Sequence, residues 1–362
     1  MVGASGRRRL GLLALGLVAA GGLLMGACSP IYVIRAGIAE AKILAARRPI
    51  PEVVGDPATT DETRGKLALV LEARTFAIDS LGLDVGDSYK SFTQLQKDTL
   101  AMVLSAAYRD RLAAKTWWFP IVGRVPYRGY FSLENAQDAQ EDLERDGLDT
   151  YLRPTAAFST LGWFADPLLS TLLRYDHVQL VASVLHELSH NHLFVSGHVR
   201  FNESFATFVG QVGAIEFFCR REGGGPDTTW CRRAQANWRD AQRFGRFMDA
   251  LVTDLQALYA EADLSLDEKL RRREEIFEAF RARFTRDVQP TFEAATYTGF
   301  LSTPLNNATL LSRMLYYHRL DDFDRTYAER GEDLRETVDY LARGVDGVDD
   351  PFDLLEAAPA PR

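Results

Sequence analysis

The 362-residue chain is sparing with cysteine and histidine, having three of one and six of the other. It has no internal repeat. With only 14 prolines and 27 glycines, 46% hydrophobic and 25% charged residues, a collagen-like or largely disordered chain is excluded. Long apolar runs are missing beyond the first 27 residues, which excludes a polytopic membrane protein. Positive charge is also in short supply. The net charge of −8 becomes −11 once Arg7, Arg8 and Arg9 are set aside, so a nucleic-acid partner, which needs a basic surface, is not expected.

What is present begins with an address. Three arginines precede an apolar stretch, Leu10 to Ala20, and Met25-Gly26-Ala27-Cys28 follows. Small residues before a cysteine at this place resemble the lipobox of bacterial lipoproteins. The resemblance implies cleavage of residues 1–27 and lipidation of Cys28, hence a membrane partner through the lipid anchor and a periplasm-facing body. Ser29 after the cysteine favours the outer membrane. An uncleaved membrane anchor is the alternative, and it too puts the body outside the cytoplasm. The other two cysteines, Cys219 and Cys231, flank the turn signal Gly223-Gly224-Gly225-Pro226-Asp227, where either a disulfide or two free thiols would be compatible.

Along the body, residues 28–62 read as a tether with a helix over Ile31 to Arg48 and a loop over Pro51 to Thr60. Residues 63–362 read as one domain, mixed over 63–175 and helical over 176–362. Helices are expected over Arg64 to Leu83 and Leu133 to Asp146. The aromatic segments around Trp117 and Trp163, broken by proline and glycine, read as core strands, the second of them over Thr150 to Phe164. From Asp176 onward the pattern gives helices over His177–Phe194, Arg200–Arg221, Thr229–Ala262, Leu266–Asp287, Leu305–Arg319 and Leu334–Arg343. The fold class is α+β, mostly helical, with a small sheet before the helix that starts at His177.

That helix carries His186-Glu187-Leu188-Ser189-His190, an H-E-x-x-H motif. Val178, Val181, Leu185 and Leu188 recur at helical spacing. His186 and His190 therefore share a face, where two neutral imidazoles reach one Zn2+ ion. Glu187, roughly 100° around the helix, misses the metal and can reach its water as general base. A catalytic zinc needs a third ligand and an open position. Glu203 supplies the ligand from the next helix, after a turn near Ser196-Gly197, and the small Ala206 and Thr207 let the two helices approach. His177, His192, His198 and His318 read as ordinary residues, though His192 and His198 are near enough to line the site.

The order of H-E-x-x-H, turn and glutamate resembles the gluzincin metallopeptidases. Four blocks extend the likeness: Val125 to Ser132, Ser159 to Ser170, His186 to Thr207, and Pro304 to Ala308. Together they resemble a family of bacterial zinc aminopeptidases that also begin with a lipobox. The resemblance implies a gluzincin-like fold, a peptide substrate, and hydrolysis by a zinc-activated water. It also implies an oxyanion donor from the downstream helices, with Tyr316, Tyr317 and Tyr297 as candidates and Tyr317 taken first. An upstream edge strand, Thr155 to Phe164, would pair with extended substrate. The same zinc residues suit an endopeptidase or a hydrolase of cell-wall peptides. A lipid-anchored envelope protein with a structural or vestigial metal site is the non-enzymatic alternative. Glu187 weighs against it, because a structural site has no use for a base that does not ligate.

Overall fold

Helices carry most of the described chain and the strands are short. A computed structural model describes residues 41–96, 101–119, 123–155 and 165–356. Cys28, the leader before it, and residues 156–164 of the expected edge strand lie outside these ranges. The first elements are β1 (Arg48–Pro49), α1 (Ile50–Gly55), α2 (Asp61–Asp79) and β2 (Ser91–Thr93). Next come β3 (Ala101–Ala107), β4 (Trp117–Phe119), β5 (Gly123–Val125), β6 (Tyr127–Tyr130), α3 (Leu133–Arg145), β7 (Asp149–Thr155) and β8 (Leu168–Leu169). The helical part follows, with α4 (His177–His192), α5 (Val199–Arg220), α6 (Thr229–Ala260), α7 (Leu266–Arg283), α8 (Asn307–Met314), α9 (Leu320–Glu329) and α10 (Leu334–Gly344).

Three local expectations need correction. Residues 50–55 form α1 rather than a loop. Pro51 sits in the first turn, where its missing N–H has no partner to lose, and Ile50 and Val53 bury one face. The helix expected over Leu305–Arg319 stops at Met314, and Arg319 takes a left-handed conformation at φ +56° before the chain restarts as α9. That helix went unread because Leu320, Phe323 and Thr326 are its only buried residues in an otherwise polar run. The aromatic strand at Trp117 is not wholly core either. Alternation along β4 leaves Trp118 42% exposed.

β3 lies between β6 and β7 and is antiparallel to both, with Leu104 opposite Arg128 and Leu152. One face of this sheet packs on α3 through Leu104, Ala106, Ala136 and Leu143. The alternate positions, which include Tyr127 on β6 and Arg153 on β7, face the other way. There Asp149, 6% exposed, accepts from Arg273 of α7 at 2.7 Å and from the Asn307 backbone at 3.0 Å, fastening the sheet to the helical part. β2 pairs in parallel with β8, which delivers the chain towards α4. α4 and α5 form the centre of the molecule, and Ile50, Val53 and Leu67 belong to the same apolar core as Val181 and Phe208. Among the described residues no helix is long and apolar enough to cross a membrane.

Candidate metal centre

α4 begins where the Asp176 carboxylate accepts from the Gln179 N–H at 2.9 Å, a cap that fixes its first turn. Val178, Val181, Leu185 and Leu188 are all buried to 1% or less. His186, Glu187 and His190 are therefore held on a helix that cannot rotate without exposing its apolar side.

Glu203 is placed by its two neighbours. Asn202, buried, receives the Val195 N–H on Oδ1 and donates to the Val195 carbonyl, both at 2.9 Å, and so clamps the loop between α4 and α5. Ser204, also buried, donates to the Leu315 carbonyl at 2.9 Å. The helices approach closely because residue 210 is glycine. A Cβ there would stand 2.5 Å from the Ala182 carbonyl oxygen and 3.2 Å from His186 Cβ.

The result is a compact donor set. Nε2 of His186 lies 3.4 Å, and Nε2 of His190 3.7 Å, from the same Glu203 oxygen, Oε2. One ligand atom from each of the three residues falls within 4.8 Å of the others. Tetrahedral ligands at about 2.0–2.1 Å from a zinc ion stand about 3.3 Å apart, so these residues fit such an ion with little adjustment. Nδ1 of His190 is buried with no hydrogen-bond partner among the described residues, so packing sets the orientation of this ring.

The chain's own charges act strongly here. Burial drives the Glu203 carboxyl upward, yet hydrogen bonds with His186 and His190 outweigh it and hold the group far below its ordinary range. For His190 burial opposes the proton, but the Glu203 carboxylate prevails and raises its affinity. Glu187 stands outside the donor set. Burial raises its carboxyl above the usual range, helped by Glu203 and Asp166 and opposed by the two histidines. It lines a small cleft with Ser88, Tyr89, Asp166, Leu188 and Asn191. Tyr89 is held there at φ +62°, a strained conformation for a side chain of that size.

The structure brings Tyr316, and not Tyr317, to this group. The Tyr316 ring stacks 6.1 Å from the His186 ring, and its hydroxyl oxygen accepts from Arg153 Nη2 at 3.3 Å. Tyr317 points into the helical core, edge-on to Phe244 at 5.0 Å and to Tyr297 at 5.9 Å. Tyr297 itself stacks on Phe244 at 4.2 Å. Tyr316 and Tyr317 both lie just past the end of α8 and not on the helix expected for them.

Of the remaining histidines, three are engaged elsewhere. Nδ1 of His192 accepts from the Asp84 backbone at 3.0 Å. The His177 ring packs on Trp230, the His318 ring packs on Phe352, and His198 precedes α5 as its cap position. Cys219 and Cys231 are joined in a disulfide, with Cα atoms 4.9 Å apart, between the end of α5 and the start of α6.

Sequence reasoning missed Asn202, Ser204, Gly210 and Arg153. The first two flank Glu203, and polar residues on both sides of a candidate ligand could have drawn notice. Gly210, with Gly213 three residues later, is a signal of close helix contact. Arg153 carried no local signal, because its partner is 163 residues away.

No match was found among curated proteins or among solved structures. One family model, Aminopep, described as putative aminopeptidase, matches residues 31–346. The match spans almost the whole chain and takes in His186, Glu187, His190, Glu203, Arg153 and Tyr316. The chain therefore belongs to this aminopeptidase family.

Proposed function

We propose that the protein is a zinc-dependent aminopeptidase of the cell envelope, with His186, His190 and Glu203 as metal ligands. The observation that carries this reading is the convergence of both imidazole Nε2 atoms on one oxygen of Glu203, with Glu187 beside them and outside the donor set. A zinc ion held there supplies Lewis acidity towards the scissile carbonyl and the attacking water.

The chain's residues do the rest. Glu187 takes the proton of the attacking water and returns it to the leaving amine as the C–N bond breaks. Its raised proton affinity suits both halves of that task. Tyr316 replaces Tyr317 as the oxyanion donor. Arg153 has only hydrogens to offer, so the phenol oxygen accepts from it and the phenol's own proton is free to point at the carbonyl oxygen. The lipobox adds the proposal that the body is tethered through lipidated Cys28 and faces the periplasm.

Metal analysis of purified protein beside His186→Ala tests the centre, and stoichiometric zinc in both would remove it. Glu187→Gln is expected to keep its metal and to lose about 10²–10⁴-fold in kcat. Peptides with free and with acetylated amino termini, compared on the zinc-loaded enzyme, test the exopeptidase part. Equal cleavage of the two would leave an endopeptidase.

A further inference from the structure

Arg153 is the cation beside Tyr316, the tyrosine that stacks on His186. It projects from β7, on the sheet face that turns towards the metal centre, and retains only partial exposure. Among the described residues its one hydrogen bond goes to the Tyr316 hydroxyl, at 3.3 Å. Among the described residues no carboxylate lies within ion-pair distance of it. Glu203, the carboxylate of the candidate metal centre, is already engaged by His186 and His190. The contrast is Arg273, equally part of the sheet-to-helix junction, which meets Asp149 at 2.7 Å and Glu274 at 2.8 Å. A guanidinium has five N–H donors in a planar fork, and at this half-buried position most of them stay open to an incoming acceptor. The fork matches a carboxylate, which accepts two such bonds at once.

We infer that Arg153 recognises a carboxylate of the substrate, so that the cleft selects peptides with a free carboxylate shortly beyond the scissile bond. This rests on the peptidase reading above. The reach is bounded by the Tyr316 ring, which stands 6.1 Å from the His186 ring and 6.0 Å from the Arg153 guanidinium carbon. The span from metal ligand to guanidinium is at most the sum of these. Each extended residue covers about 3.3–3.6 Å, so a carboxylate one to three residues past the scissile bond comes within reach. A terminal carboxylate on a di- to tetrapeptide and an acidic side chain near the bond offer the same chemistry.

The test uses the zinc-loaded protein and a dipeptide analogue, Ala-Ala, whose amide is replaced by a CH2–NH linkage. Binding is measured by calorimetry for its C-terminal acid, its C-terminal amide, and the amide carrying Asp in place of the second Ala. The acid is expected to bind at least about tenfold more tightly than the amide to the wild-type protein. In Arg153→Gln the ratio should fall to about one, and Arg153→Lys should retain part of it. Recovery of affinity by the Asp-containing amide alone would assign the carboxylate to a side chain. Equal binding of all three by the wild-type protein overturns the inference, and that comparison stands even if Arg153→Gln does not fold. Turnover of the cleavable peptides, run in parallel, separates the two readings. Cleavage without acid preference sinks the role of Arg153 alone, whereas acid-selective binding without cleavage of any peptide sinks the peptidase reading and keeps it.

Discussion

Ser204 donates its hydroxyl to the carbonyl of Leu315 across 111 residues of sequence, tying the residue after Glu203 to the residue before Tyr316. One hydrogen bond thus ties the proposed third metal ligand to the proposed oxyanion donor. Ser204→Ala removes it and leaves a buried carbonyl without its partner, at a cost of about 1–3 kcal/mol. The expected result is full zinc content, a lower Tm and a fall in kcat larger than any change in KM. A kcat equal to that of the wild type would show that Tyr316 keeps its place without the tie.

Gly210 predicts a failure of packing that spreads to the metal. In Gly210→Ala the new methyl meets the Ala182 carbonyl and presses on His186 Cβ, so α4 and α5 must separate. Overpacking of this kind costs about 1–3 kcal/mol. Denaturant unfolding should report that loss, and zinc affinity should weaken with it, because the two helices carry the ligands between them. Undiminished stability would mean that the helices yield without cost.

The acid limb of stability should depend on Glu293. Its carboxylate accepts from Arg239 and Arg243, and these guanidinium contacts lower its pKa to about 2 from an ordinary 4.5. The folded value lies below the unfolded one, so the contribution to stability is complete above about pH 4.5 and is lost as the pH falls towards 2. Thermal melts across that window should show a shallower decline for Glu293→Gln than for the wild type. Parallel curves would mean that the contacts do not survive in solution.

The disulfide should matter for stability and not for chemistry. It closes a 12-residue separation, for which chain entropy alone gives about 3 kcal/mol. Cys219 lies sixteen residues along α5 from Glu203, or about 24 Å. Replacing both cysteines by alanine is expected to lower Tm while kcat and zinc content hold.

The candidate ligand group was legible because the signal is local. His186 and His190 share one helix face, and Glu203 follows after a single turn. The sheet and the helical half were legible for the same reason, through runs of alternating or helical spacing. What was not legible depends on distant partners. Whether Tyr316 or Tyr317 faces the centre turns on partners far along the chain, Arg153 and His186 for one and Phe244 for the other. The left-handed Arg319 sets the restart of the chain just after them, and nothing in Leu315 to Arg319 announces it. Arg153 is an ordinary strand residue until Tyr316 arrives beside it. Pro51 misled in the opposite sense, since proline marks the start of a helix as readily as a loop.

The spacing of these residues along the chain divides the protein's assembly into two problems. His186, His190 and Glu203 all fall within residues 186–203, inside one helical hairpin, and contacts so close in sequence form early and cheaply. Arg153, Tyr316 and the Ser204–Leu315 tie join segments more than a hundred residues apart. A partly folded or truncated chain could thus hold metal while lacking the walls of its cleft. Zinc content would then be a poor certificate of a correctly built enzyme, and turnover of a short peptide the better one.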